Sequence, residues 1–149
     1  MTNITIIENR DIFESKCQVL VNPINCVGVM GKGLALEFKN RYPKMFDKYK
    51  DLCDKYLIDI GRLWMFNVND NKQILNFPTK KDWKDPSQYE YIEEGMDKFV
   101  KTYQDKNIKS IAFPLLGCGN GNLNKDIVLQ IMTKYLIRCK DLNVEIYYN

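Results

Sequence analysis

The sequence predicts an α/β fold, with a mixed and largely parallel sheet covered by helices on both faces. Three observations carry this. Short apolar, β-branched runs alternate along the chain with segments of helical periodicity. At least two of those runs are apolar without alternation, as strands buried on both faces are. The length, 149 residues, suits one core of that kind and is short for two.

The elements follow in order. Residues 4–7 (Ile-Thr-Ile-Ile) read as a first strand, and Val19-Leu20-Val21 as a buried one ending at Asn22-Pro23. A glycine-rich stretch follows, with Gly28, Gly31 and Gly33. A helix is expected from about Gly33, carrying Leu34, Leu36 and Phe38, until Pro43 stops it. Pro43 suits the first position of a second helix. Phe46, Tyr49, Cys53 and Tyr56 give that helix one apolar face, and Gly61 is expected to close it.

Residues 63–68 and 73–77 read as strands joined by Asn69-Asp70-Asn71-Lys72. These residues tolerate left-handed backbone angles, so a hairpin is predicted. Asp85-Pro86-Ser87-Gln88 reads as a helix start: Asp85 as N-cap, Pro86 at the first position, Gln88 closing a capping box. Ile92, Met96, Phe99 and Tyr103 form its buried face. Residues 110–115 are a further buried strand. Asn124 is expected to cap a last helix with Ile127, Ile131 and Tyr135 inward, and residues 144–148 are the final strand. No linker, repeat or low-complexity segment interrupts the series, and residues 1–149 are expected to form one domain.

Composition narrows the chemistry. There is no histidine, which excludes Ser-His and Cys-His nucleophile pairs and histidine-containing metal sites. The five cysteines form no C-x-x-C pair, so reduced cytosolic thiols are expected rather than zinc or disulfides. Net charge is only +3, with lysine and acid interleaved, so a nucleotide or nucleic-acid ligand is permitted but not required. No leader and no membrane span are read, since the first apolar run is short and followed at once by Glu8, Arg10 and Asp11.

In an open α/β sheet, ligands bind beyond the carboxyl ends of strands. Two such ends carry unusual sequence: Asn22-Pro23-Ile24-Asn25-Cys26-Val27-Gly28-Val29-Met30-Gly31-Lys32-Gly33, and Pro114-Leu115-Leu116-Gly117-Cys118-Gly119-Asn120-Gly121-Asn122. Each is either a tight turn or a cradle of amide N–H groups for an anion. The pair together suits a diphosphate. Neither is a standard phosphate motif. A third strand end, Asn76-Phe77-Pro78-Thr79-Lys80, places a lysine where it is either a solvated charge or a desolvated amine of lowered pKa. Asp11 is an exposed acid or an acceptor for an exocyclic amine such as that of adenine. Tyr147 and Tyr148 pack the sheet or stack on a base. Cys26 and Cys118 flank the proposed cleft as packing residues.

These three blocks, in this order, resemble the macrodomain family. The run from Val21 through Gly33-Leu34-Ala35 looks like its DarG type, the antitoxin that removes ADP-ribose from DNA. The resemblance covers nearly the whole chain, from Ile4 to Tyr147. It implies a three-layer α/β/α sandwich with ADP-ribose in the cleft between the loops. It places Asp11 at the adenine amine with Tyr147 near the ring, and Asn25 at the distal ribose. Val29, Met30, Gly31, Lys32 and Gly33 would line the distal ribose and phosphates. Gly117, Cys118, Gly119, Asn120 and Gly121 would hold the diphosphate. Ile12, Asn22, Thr79 and Leu116 complete the expected contacts.

The resemblance ties catalysis to Lys80, by attack or proton transfer at the anomeric carbon of the distal ribose, and makes the chain an ADP-ribosyl glycohydrolase. Related enzymes that cleave ADP-ribose from glutamate pair their lysine with an aspartate in the diphosphate loop. Gly121 stands there instead, as in the DarG type, which argues against a glutamyl substrate and leaves a second acid–base group unassigned. No cofactor and no metal are expected. The expected partners are ADP-ribose or ADP-ribosylated single-stranded DNA, and a DNA ADP-ribosyltransferase toxin. The chain is expected to stop at the macrodomain, with no toxin-binding extension or fused partner, and to act as a cytoplasmic monomer. Other readings stay open: an ADP-ribose 1″-phosphate phosphatase, an O-acetyl-ADP-ribose deacetylase, or a non-catalytic ADP-ribose reader.

Overall fold

In the computed structural model, which describes residues 2–149, six strands form one sheet: β1 (Asn3–Glu8), β2 (Val19–Ile24), β3 (Trp64–Asn69), β4 (Lys72–Pro78), β5 (Ser110–Pro114) and β6 (Asn143–Tyr148). Their order across the sheet is β1-β6-β5-β2-β4-β3. Every neighbouring pair is parallel except the β3–β4 hairpin. The carboxyl ends of five strands therefore reach one edge. β2 and β4 pair over six residues, from Val19↔Gln73 to Ile24↔Pro78. β2 and β5 pair only at Val19↔Ile111 and Leu20↔Ala112.

Strand alternation sends side chains to two cores. Val19, Val21, Leu75, Phe77, Ile111, Phe113, Val144 and Ile146 face α3 (Tyr89–Thr102) and α4 (Lys125–Leu136). Leu20, Ile24, Ile74, Ala112 and Tyr147 face α1 (Gly33–Arg41) and α2 (Pro43–Asp54). This is the three-layer α/β/α sandwich the sequence implied.

The details differ at four places. The face of α2 is Met45, Tyr49 and Cys53, and Tyr56 lies outside the helix, 88% exposed. The helix ends early because Leu57 N–H donates to Leu52 O (2.9 Å) and Tyr56 N–H to Cys53 O (3.0 Å), with Tyr56 at φ 58. That is a Schellman end with tyrosine at the left-handed position, so Gly61 is not needed to stop the helix. The predicted hairpin forms, but neither Asp70 nor Asn71 has positive φ. The Asn69 side chain instead accepts from Asn71 N–H (2.8 Å), and a register shift between Asn67 and Asn69 absorbs the twist.

α3 begins at Tyr89, with Gln88 as a cap whose side chain makes no bond, three residues beyond the predicted cap Asp85. The cause is tertiary: Ser87 N–H donates to Gly121 O (3.1 Å), which holds the preceding segment extended against the glycine loop. Its predicted buried face, Ile92, Met96, Phe99 and Tyr103, is as expected.

α4 starts where Asn124 predicts. The Asn124 side chain accepts from Asp126 and Ile127 N–H (2.9 and 3.1 Å). Its buried stripe, however, is Val128, Met132 and Leu136, one residue on from the predicted Ile127, Ile131 and Tyr135. Both stripes are apolar, so periodicity alone could not choose. Packing on the sheet and α3 leaves Ile127 44% exposed.

Candidate ligand-binding cleft

Strand ends place the site. The loops after β2, β4 and β5, with the tip of β6 and the turn after β1, enclose a cleft of about 1030 Å³. Fifteen of the predicted site residues line it: Asp11, Ile12, Asn25, Val29, Gly31, Lys32, Gly33, Thr79, Lys80, Gly117, Cys118, Gly119, Asn120, Gly121 and Tyr147. Three do not. Asn22 and Leu116 are 0% exposed and Met30 is 1% exposed, and none of them reaches the cleft. Asn22 sits in the sheet, its amide donating to Asn76 Oδ1 (3.0 Å) in the neighbouring strand, while its own Oδ1 is buried without a partner. Met30 and Leu116 pack into the two cores. These three support the cleft floor instead of facing it.

Asn25 is employed within its own loop. Its amide donates to Val29 O (2.7 Å), and Oδ1 accepts from Val27 N–H (3.1 Å) and Val29 N–H (3.3 Å). The buried Tyr49 hydroxyl on α2 lies 2.7 Å from Oδ1 and 2.8 Å from Asn25 O, donating to them. Asn25 is thus a frame for the loop first. Tyr49→Phe should lower stability by about 1–3 kcal/mol, since the asparagine loses a buried donor. Urea unfolding reads this directly, and an unchanged midpoint would show that the loop does not need the hydroxyl.

The two glycine loops meet. Gly33, at φ 56, opens α1, and a Cβ there would sit 3.0 Å from Asn120 Nδ2. The cap residue Lys32 makes no side-chain bond to the first turn, so the α1 N-terminus stays open to an anion. Across the cleft, Cys118, Asn122 and Leu123 spend their N–H groups on carbonyls of their own loop, at 3.0–3.4 Å. The exposed Gly119 and Asn120 have no such bond among the described residues, and their amides can meet a ligand. Gly121 is fixed sterically: a Cβ would stand 2.3 Å from Gly117 O and 2.4 Å from Ser87 Oγ.

Lys80 follows β4, and its main chain is pinned to the β2 loop. Thr79 N–H donates to Ile24 O (2.8 Å), Cys26 N–H to Lys81 O (3.1 Å), and the Cys26 thiol to Lys80 O (3.3 Å). The Lys80 amine donates to Asn120 O (2.8 Å) and Trp83 O (3.4 Å), so it spans the cleft to the opposite loop. Burial, then the nearby Lys32 charge, draw its pKa below the ordinary 10.5, against the opposing pull of Asp85. Burial pushes the thiols the other way, Cys26 up to about 12 and Cys118 up to about 11, so both remain protonated and unreactive.

At the far end, Asp11 caps a short 3-10 turn, Ile12–Glu14, by accepting from Phe13 N–H (2.9 Å). Tyr147 is buried there, its hydroxyl donating to Glu145 Oε1 (2.9 Å). Burial and that carboxylate raise it to about 12. Tyr148 turns to the opposite face, where it packs on the α3–α4 core and donates to Asp126 Oδ1 (2.8 Å).

Sequence reasoning missed several lining residues: Leu34, Ala35 and Glu37 on α1, Trp83, Lys125 and Asn149. Trp83 had a signal, three residues past Lys80. Lys125 follows the cap Asn124 directly. Asn149 had none; it reaches the cleft because it exchanges hydrogen bonds with the Arg10 backbone (3.2 and 2.9 Å). Among the described residues, no cluster of potential metal ligands exists and no helix is long and apolar enough to cross a membrane.

Comparison with known proteins agrees with this geometry. A family model described as Macro domain matches residues 21–132. A curated Mycobacterium tuberculosis protein, named DNA ADP-ribosyl glycohydrolase, is 40% identical over 140 residues, covering 92% of this chain and 40% of its own length. The solved macrodomain of Thermus aquaticus DarG superposes with a TM-score of 0.93 at 36% identity, covering all of both chains. In Thermosipho africanus, a DNA ADP-ribosyl transferase–DNA ADP-ribosyl glycohydrolase fusion protein is 34% identical over 97% of this chain and 42% of its own. A solved structure of DarTG from that organism, in complex with ADP-ribose, superposes at TM-score 0.90 and 35% identity, over 97% of this chain and 41% of that one. The chain spans about two fifths of the length of the curated relatives named here. By sequence and by fold alike, it belongs to the macrodomain family and is of the DarG type.

Proposed function

We propose that this chain binds ADP-ribose in the cleft and hydrolyses the bond between the distal ribose and a nucleobase of single-stranded DNA. The observation that carries the reading is the Lys80 amine, of lowered pKa, reaching between the two glycine loops to within 2.8 Å of Asn120 O. Relatives named DNA ADP-ribosyl glycohydrolase support it. Adenine lies at Asp11, Ile12 and Tyr147. The diphosphate takes the amides of Gly119 and Asn120 and the open first turn of α1. The distal ribose meets the Asn25 loop, with Thr79 and Lys80 beside it.

In this reading the neutral Lys80 amine donates its lone pair to the anomeric carbon, and the base departs with the electrons of the broken C–N bond and takes up, through water, the proton that the newly bonded lysine nitrogen gives up. Ring opening gives a Schiff base. Water adds to it, freeing ADP-ribose and returning the amine. A lowered pKa helps because it enlarges the neutral fraction at neutral pH.

The whole chain acts as one macrodomain and as a monomer, in the reducing cytoplasm where its five free cysteines persist. Its partner is a DNA ADP-ribosyltransferase whose product it removes. The direct test offers the protein an ADP-ribosylated single-stranded oligonucleotide and an ADP-ribosylated glutamyl peptide. Free ADP-ribose is expected from the first and not from the second. An intact oligonucleotide adduct after prolonged incubation would end the proposal.

A further inference from the structure

The cleft has an aromatic residue at each end. Tyr147 stands with Asp11 and Ile12, and Trp83 stands with Lys80. They differ in finish. Tyr147 is buried and its hydroxyl is bonded, whereas Trp83 is 52% exposed. No ring or cation contact to the Trp83 indole occurs among the described residues, although the other tryptophan, Trp64, packs on Phe66 at 6.0 Å. Yet the Trp83 backbone is not loose. Its carbonyl accepts from the Lys80 amine (3.4 Å). The turn carrying it is closed by Lys84 N–H to Asp82 Oδ1 (3.1 Å) and Asp85 N–H to Asp82 O (3.2 Å). A large apolar side chain about half open to solvent, on a backbone that the Lys80 amine itself contacts, fits a ligand surface.

ADP-ribose carries one base, and under the proposed function that base occupies the Tyr147 end. A second π surface beside the amine has use only if the ligand carries a second base. We infer that Trp83 stacks on the nucleobase joined to the distal ribose, and so selects nucleobase adducts over carboxylate-linked ones. This inference rests on the proposed function. It also accounts for a single-stranded substrate. An indole face can take a base only when that base has left its neighbours, and the segment Lys80-Lys81-Asp82-Trp83-Lys84-Asp85 mixes both charges instead of offering a track for duplex phosphates.

The test uses the intact protein with an ADP-ribosylated mononucleoside and with free ADP-ribose. Trp83→Ala should raise KM for the adduct on the order of tenfold, the loss of one stacked base, while affinity for ADP-ribose stays within about twofold. Trp83→Phe should restore most of the loss and Trp83→Leu should not, because leucine covers the surface without a π face. The inference is overturned if kcat falls with KM unchanged, if leucine rescues as well as phenylalanine, or if ADP-ribose binding weakens equally. Should the wild-type protein release no ADP-ribose from any adduct, the proposed function alone fails. Equilibrium affinity for the adduct then decides: a tenfold deficit in Trp83→Ala sustains the stacking role, and equal affinity removes it.

Discussion

Lys80→Ala should slow release of ADP-ribose from an adducted oligonucleotide by at least about a hundredfold, while ADP-ribose itself still binds. The expected split follows from geometry. In the proposed binding mode the diphosphate meets main-chain amides of Gly119, Asn120 and the α1 first turn, and none belongs to Lys80. Lys80→Arg is the sharper variant. It keeps a charge and a donor toward Asn120 O, but a guanidinium does not give up its proton near neutral pH and should not rescue the rate. Single-turnover rates measured against pH check the role of the neutral amine. The rate should rise with pH and level off above the amine pKa, which lies below 10.5 because of burial and Lys32. Lys32→Met removes the second of these, so the rising limb should move to higher pH. A Lys80→Ala protein as fast as wild type, or a rate that falls as pH rises, would refute attack by the amine.

The second large effect is expected at Gly121. Grafting the aspartate of glutamate-specific relatives into this position should not confer their activity. Any Cβ there meets Gly117 O at 2.3 Å and Ser87 Oγ at 2.4 Å, and the backbone oxygen cannot retreat easily. Gly117 O accepts from Leu123 N–H (3.0 Å), and the Ser87 backbone is bonded to Gly121 itself. Gly121→Asp should therefore displace the diphosphate loop and weaken ADP-ribose binding roughly 10- to 100-fold, in line with ordinary overpacking costs. Calorimetry measures the affinity. Undiminished binding, or new hydrolysis of a glutamyl adduct, would show that the loop has slack the geometry denies.

Much of this was legible in the chain. The strand runs, the Asn124 cap and the glycine loops are local signals, and they survived because packing had no reason to override them. What was lost was tertiary. The α4 stripe carries apolar residues at 127, 131 and 135 and also at 128, 132 and 136, and only the sheet chooses between them. Ser87 belongs by local pattern to a helix start, but its N–H is claimed by Gly121, 34 positions on in the chain. In the site, residue types predicted lining well where glycine or lysine had to be bare. They failed at Asn22, where a polar side chain next to such a loop is spent on a strand partner in the interior.

The brevity of the β2–β5 pairing has a mechanical meaning. After Leu20 and Ala112 the two strands stop sharing rungs, so the sheet opens as a wedge between a β3-β4-β2 half and a β5-β6-β1 half. Under the proposed function, a diphosphate seated in that wedge would touch the tip of each half and stitch them together. Occupancy should therefore quiet the middle of the sheet as well as its rim, and amide exchange at Val19 and Ile111, a rung the two halves share behind the lining residues Pro23 and Pro114, would register a guest they never touch.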